Sequence, residues 1–252
     1  MMKLNKFFII SLLLCCICSC AHKSGHNKNK QKHENITNQH SLEQAETRDG
    51  ERNITVSVVN NRGDKNKLDG SKIFAKYNRA VFMVFTSDGF NGYQGSGFFI
   101  NSSGLAVSNY HVFQGTNKGA EQIKLVGSDI AYKVTNVLYS SKDYDFILFQ
   151  TNCTNTNYIP IAQNKPSVGE RVFAIGSPRG LENTFSSGEV SQWRDTYLMQ
   201  ISALIDHGSS GGALINEYGE VVGITSGSFY DGSQANLNYA WSIEAVKPHI
   251  NN

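Results

Sequence analysis

The chain has 252 residues, of which 40% are hydrophobic, enough for one sizeable domain or two small ones. Its formal charge of +2 divides unevenly: +2 over residues 1–20, +3 over 21–72 and −3 from residue 73 to the end. A nucleic-acid binder concentrates positive charge on its folded part, so the mildly acidic later part argues against nucleic acid as a partner.

Lys3 and Lys6 open the chain, followed by an apolar run from Phe7 to Cys18 broken only by Ser11. A charged start before a run of this length is an export-signal pattern. The run is short for a helix crossing about 30 Å of hydrocarbon. It ends Ile17-Cys18-Ser19-Cys20, which resembles a bacterial lipobox. The resemblance implies a signal peptide over residues 1–19, lipidation of Cys20, and an exported protein held by acyl chains on a membrane of the cell envelope. An ordinary signal peptide cut near Ala21, or an uncleaved anchor, is the alternative.

Residues 20–72 read as a polar, flexible tether rich in Asn, Lys, Gln, His and Glu. Only Ile54-Thr55-Val56-Ser57-Val58-Val59 alternates like a strand. Such a composition buries too little apolar surface to offset its ordering entropy. His22, His26, His33 and His40 are irregularly spaced and have no accompanying carboxylate or cysteine pattern, so they read as solvated residues. No metal and no cofactor are expected. Four of the five cysteines fall in the first 20 residues, leaving Cys153 alone beyond them. One thiol closes no internal disulfide, so the later part relies on its core. Nothing beside Cys153 supplies a base, and it reads as a core or loop thiol.

From Ile73 onward short apolar runs recur between turn residues. The first is Val81–Phe85. Gly97–Ile100 turns through Asn101-Ser102-Ser103-Gly104 into Leu105–Val107, a hairpin signal. Further runs cover Ile123–Val126, Tyr132–Tyr139, Phe146–Gln150, Arg171–Ile175, Tyr197–Ile201 and Val221–Ile224. Helical periodicity shows only over 243–250. With 23 Gly and 11% aromatics, many short strands at close spacing predict an all-β barrel or sandwich.

Three polar residues of catalytic type sit beside these runs. His111 follows Ala106-Val107-Ser108-Asn109-Tyr110, Asp145 precedes Phe146-Ile147-Leu148-Phe149, and Ser210 lies in Gly208-Ser209-Ser210-Gly211-Gly212. A serine hydroxyl is a weak nucleophile that needs a base within reach, and the base needs a partner that fixes its tautomer. Imidazole titrates near neutrality and suits that role. Asp145 would accept from the other ring nitrogen. The backbone N–H groups of Gly208 and Ser210, two apart on a tight turn, would hold the oxyanion of an acyl-transfer transition state. Taken singly, each feature has a bland reading: a structural histidine, a strand cap, a flexible Gly-Ser loop. The combination, in this order, is specific.

On Gly95-Ser96-Gly97-Phe98-Phe99-Ile100, Ser108-Asn109-Tyr110-His111-Val112, Asp145-Phe146-Ile147-Leu148 and Gly208-Ser209-Ser210-Gly211-Gly212-Ala213-Leu214 the chain resembles the chymotrypsin-like serine proteases, and among them the HtrA/Deg-type bacterial branch. Ile175-Gly176-Ser177-Pro178-Arg179-Gly180-Leu181, Ser187-Gly188-Glu189-Val190-Ser191 and Tyr239-Ala240-Trp241-Ser242-Ile243 fit as well. The resemblance implies two six-stranded antiparallel β-barrels, at about 73–157 and 158–243, with a short C-terminal helix over 243–250. It makes His111, Asp145 and Ser210 the triad, preferring Asp145 over Asp143 and Ser210 over Ser209. It places Leu204, Ile205, His207, Ser226, Gly227 and Ser228 around the substrate pocket. No acidic residue falls at the base of that pocket, so apolar or small side chains are expected there. Ser209 stands where digestive members carry Asp, which argues against their zymogen activation. About ten residues follow the last predicted strand, so no PDZ domain is expected.

The function expected is a serine endopeptidase acting on proteins or peptides, with oligomeric state left open. The alternative is a catalytically silent peptide-binding or chaperone-like module on the same scaffold. An α/β-hydrolase esterase would carry Gly-x-Ser-x-Gly too, but in the order Ser, acid, His. The order here is His, Asp, Ser.

Overall fold

The computed structural model describes residues 66–228 and 237–250. The signal-peptide region, Cys20 and the tether as far as residue 65 lie outside the described residues.

The fold is two closed, six-stranded antiparallel barrels. The first contains β1 (Val81–Ser87), β2 (Gly92–Phe99), β3 (Leu105–Ser108), β4 (Gln122–Leu125), β5 (Ala131–Ser141) and β6 (Phe146–Thr151). These are ordered β1-β2-β3-β6-β5-β4, with β4 closing onto β1. The second contains β7 (Arg171–Gly176), β8 (Thr184–Trp193), β9 (Leu198–Ile201), β10 (Ala213–Asn216), β11 (Val221–Ser228) and β12 (Asn238–Ser242). Read from β7, their order β7-β8-β9-β12-β11-β10 repeats that of the first barrel. The all-β, two-barrel architecture expected from the sequence is the one found.

The unbroken apolar runs have a direct cause. A strand covered on both faces has no reason to alternate. Along β6, Ile147 and Phe149 enter the first barrel's interior, while Phe146 and Leu148 face a second core shared with the other barrel. In β1 and β2 the division is the same: Phe82 and Phe99 point inward, Val81 and Phe98 outward. From the second barrel, Phe173, Ile175, Ala213 and Ile215 join the shared core, and Val172, Ala174 and Leu214 fill its own interior. The shared core places the ends of β3, β6, β10 and β11 side by side. The connection between barrels is itself docked, since Val221 N–H donates to Pro160 O at 2.8 Å and Ala162 N–H to Val221 O at 3.0 Å.

Two short helices depart from the sequence reading. Helix α1 (Gly70–Tyr77) starts within the stretch read as tether. Asp69 caps it, accepting from Lys72 N–H at 2.9 Å. Ile73 and Tyr77, one turn apart, are its only buried residues and enter the shared core. Gly70 is required by close approach, because a Cβ there would lie 2.9 Å from the ring of Phe185. Helix α2 (Tyr110–Phe113) is a single turn after β3. The expected C-terminal helix consists of two successive 3₁₀ turns, Ile243–Ala245 and Lys247–His249. Pro248 has no N–H to continue an α-helical ladder. Among the described residues no helix is long and apolar enough to cross a membrane.

Candidate active site

Helix α2 exists to turn the chain out of the first barrel immediately after β3, and it carries His111 on that turn. Asp145 precedes β6, the strand paired with β3. It adopts φ +44°, an uncommon conformation for a non-glycine residue. Two bonds hold the pair in register: Asn109 Nδ2 donates to Asp145 O at 2.7 Å, and His111 N–H donates to Asp145 Oδ1 at 2.9 Å. The ring then meets the carboxylate, Nδ1 to Oδ2, at 2.8 Å. A carboxylate only accepts, so Nδ1 carries the proton and Nε2 presents its lone pair. Asp143, the rival carboxylate, is exposed and takes no part.

A further donor reaches Asp145 from the second barrel. Ser226 Oγ donates to the same Oδ2 at 2.8 Å. The sequence reading placed Ser226 in the pocket wall, but its hydroxyl is committed to the carboxylate. Gly227 follows, and a Cβ on it would stand 3.7 Å from Ser210 Oγ. Strand β11 therefore brings the Asp145–His111 pair and the Ser210 hydroxyl to one end of the barrels. Among the described residues no hydrogen bond joins the Ser210 hydroxyl to the His111 ring. Such bonds commonly tighten only when substrate closes the site.

The loop 204–212 that carries Ser210 is fixed through its carbonyls. His207 O accepts from Arg179 N–H at 2.8 Å. Ser209 O accepts from Thr225 Oγ1 at 2.7 Å and from Gly212 N–H at 2.9 Å. In a planar trans peptide the following N–H points the opposite way. Gly208 N–H and Ser210 N–H are thus turned from these anchors, and neither donates to another described group. Gly208 O is in turn held by Ser96 Oγ at 2.7 Å.

Ser96 joins the barrels. Its N–H donates to Ser210 O at 2.8 Å, its O accepts Ser108 Oγ at 2.7 Å, and its Oγ accepts Ser177 N–H at 2.9 Å. Gln94, two residues earlier on β2, donates to Ser177 O at 2.9 Å and accepts Gly180 N–H at 3.0 Å. The glycine at 211 answers to this packing. It adopts φ +88°, and a Cβ would fall 2.1 Å from Ser96 O. It makes room for β2 and not for a substrate. Sequence reasoning quoted Ser96 but assigned it no role, and it passed over Gln94 and Thr225. The available signal was the run of polar residues and glycines at 94–97 leading into Phe98 and Phe99.

A cavity of about 720 Å³ adjoins the loop. Leu204, Ile205, His207, Ser226 and Gly227 border it. Ser228 lies on β11, and its side chain is outside what is described. Thr225 and Asn238 also border the cavity and were not foreseen. At its lip Arg179 Nε meets Asp206 Oδ2 at 2.9 Å. The His207 backbone N–H, then Arg179, hold the Asp206 carboxyl below its ordinary range. No cluster of three metal-ligating side chains occurs among the described residues.

Comparison with known proteins places this geometry in a family. The profile described as Trypsin-like peptidase domain matches residues 95–224, more than half of the chain, and that span includes His111, Asp145 and Ser210. The chain belongs to the trypsin-like peptidase family. This trypsin-like peptidase is 34% identical over 165 residues to a probable serine protease do-like of Buchnera aphidicola, covering 61% of this chain and 34% of that one. It is 34% identical over 168 residues to a probable periplasmic serine endoprotease DegP-like of Pseudomonas savastanoi, covering 60% and 33%. With the serine protease HTRA3 of Rattus norvegicus it shares 35% over 153 residues, covering 52% and 32%. The chain thus spans about a third of the length of the curated relatives it matches. Its fold is that of the serine endoprotease from Yersinia pestis, with a TM-score of 0.64 at 24% identity over 73% of this chain and 65% of that one.

Proposed function

We propose that this trypsin-like peptidase is a serine endopeptidase that cleaves protein or peptide substrates through an acyl-enzyme on Ser210. The supporting observation is the 2.8 Å His111–Asp145 pair set at the end of the barrels where Gly208 and Ser210 leave their N–H groups unpartnered. His111 Nε2 removes the Ser210 proton as Oγ attacks the substrate carbonyl. Asp145 holds the ring tautomer and stabilises the imidazolium, with Ser226 Oγ supporting the carboxylate. The two free N–H groups receive the oxyanion, a contribution of about 3 kcal/mol for one such donor. His111 then protonates the leaving amine, the C–N bond breaks, and the acyl-enzyme remains. A water activated by the same ring hydrolyses the ester and restores Ser210. The enzyme works at the bacterial cell envelope, tethered through lipidated Cys20.

A fluorophosphonate probe tests the chemistry on the full chain. Labelling is expected on Ser210 and is abolished by Ser210→Ala. The unbonded Ser210–His111 geometry favours a second reading, a latent binding module, and a folded but unlabelled protein would establish it. Digestion of casein separates peptidase from esterase. Palmitate incorporation, lost in Cys20→Ala, tests the anchor.

A further inference from the structure

We propose that Tyr144 is a positioning residue for the triad: its ring, seated on Tyr197 and Trp241 of the second barrel, holds Asp145 in the backbone conformation that aims its carboxylate at His111. The proposal rests on the reading of His111, Asp145 and Ser210 as a catalytic triad.

Asp145 closes the turn 142–145 between β5 and β6, at φ +44°. Residues with a side chain rarely adopt this region, and they keep it only where the surroundings impose it. The angle φ sets the peptide unit that joins Tyr144 to Asp145 against the rest of the Asp145 backbone, so fixing it takes a hold on each side. Asn109 supplies the downstream hold, its Nδ2 donating to Asp145 O at 2.7 Å. Asn109 is fully buried, and its Oδ1 is the one buried side-chain atom among the described residues without a hydrogen-bond partner. An unpaired buried acceptor is costly. The amide is therefore kept there for the backbone that Nδ2 holds.

The upstream side has no bond as short. Asp145 N–H reaches Lys142 O at 3.4 Å and Tyr144 N–H reaches Ser141 Oγ at 3.2 Å, both at the long end of the range. The hold on that side is the Tyr144 ring. It stands edge to face with Tyr197, the centroids 4.9 Å apart at 71°, and with Trp241 at 6.1 Å and 65°. Both are favoured geometries for aromatic pairs. Tyr197 lies in the β8–β9 connection and Trp241 on β12. Ser242 N–H donates to Tyr197 O at 2.7 Å, which ties the two partners to each other. The backbone of Asp145 is thus held by the first barrel on one side and by the second on the other. Tyr144 itself is 40% exposed, so its ring is placed against the neighbouring barrel and not in a core.

The test uses the full-length protein, with folding followed by melting curves. Tyr144→Ala is expected to lower kcat on a fluorogenic peptide by about tenfold with KM within about twofold, because the triad acts on bound substrate. The far-downfield proton resonance of the His111 Nδ1–H, bonded to Asp145 at 2.8 Å, is expected to broaden or vanish in the same variant. Tyr144→Phe keeps the ring and should restore both. Tyr197→Ala should reproduce the Tyr144→Ala loss, and the double variant should lose little more than either single one, since all three break one contact. Tyr144→Leu, which keeps apolar bulk without the ring edge, reads the same contact where the alanine variant is unstable. A Tyr144→Ala protein with kcat within about twofold of wild type and its resonance intact overturns the proposal, as does a Tyr144→Phe protein as impaired as Tyr144→Ala. Failure of fluorophosphonate to label wild-type Ser210 would instead overturn the peptidase reading, and the resonance would still decide whether Tyr144 sets the His111–Asp145 pair.

Discussion

Replacing Ser96 by alanine removes one oxygen atom at the junction of the two barrels. That oxygen donates to Gly208 O at 2.7 Å and accepts from Ser177 N–H at 2.9 Å, and Ser96 is fully buried. Without it the Ser177 N–H has no acceptor. Gly208 O keeps only Gln94 Nε2 at 3.5 Å, the outer limit of a hydrogen bond. Each buried group left unpaired costs about 1–3 kcal/mol, so the domain should lose about 2–4 kcal/mol. At about 2–4 °C per kcal/mol for a domain of this size, the thermal midpoint falls by about 5–15 °C. The second effect is on chemistry. Gly208 O and Gly208 N–H flank one α-carbon, and loosening the first misaims the second. Losing an oxyanion donor outright costs about 100–1000-fold in kcat. Loosening it should cost about 10–100-fold, with KM little changed. Circular dichroism melting and single-turnover acylation by a fluorophosphonate read the two effects separately. A lowered midpoint with an acylation rate within about twofold of wild type would show that Ser96 holds the fold and not the loop. An unchanged midpoint would refute the strut altogether.

Other substitutions test neighbouring contacts. Gly211→Ala puts a methyl 2.1 Å from Ser96 O at φ +88°; no Ser210 labelling is expected, read on protein shown to be folded by its melting curve. Ser226→Ala removes a donor to Asp145 Oδ2 while leaving the 2.8 Å His111 contact, and a fall in kcat of about tenfold, corresponding to about 1.4 kcal/mol, is expected by steady-state kinetics. Cys153 is free and buried, and burial pushes its thiol up. The thiolate is the reacting form, so the native protein at pH about 8 should take up iodoacetamide at least about tenfold more slowly than in urea, read by mass spectrometry. Gly227→Ala places a methyl 3.7 Å from Ser210 Oγ at φ +101°; peptides with long side chains on the acyl side should lose more kcat/KM than those with alanine there.

Much of this architecture was legible because it is written locally. His111, Asp145 and Ser210 each stand beside a strand whose apolar run is unmistakable, and those runs are continuous because β1 and β6 are covered on both faces. What stayed hidden depends on distant partners. Helix α1 buries only Ile73 and Tyr77, so its face is defined by the barrels it packs on and not by its own periodicity. Ser226 was read into the pocket from the family resemblance; it borders the cavity, and its bond to Asp145, 81 residues away, is a distant contact. The pairing of β11 with β12 slips between Thr225 and Gly227, an irregularity that no local pattern announces. Gln94 and Ser96 work across 83 and 112 residues of sequence, on Ser177 and Gly208, a relation no local pattern carries.

The strut at Ser96 also sets an order of events. A chain made from its N-terminus contains His111 and Asp145 before residue 210 exists. That half offers a base with nothing to activate. The hydroxyl comes later in the chain, and its loop is held against β2 through Ser96. Any event that unseats either barrel therefore disarms the whole.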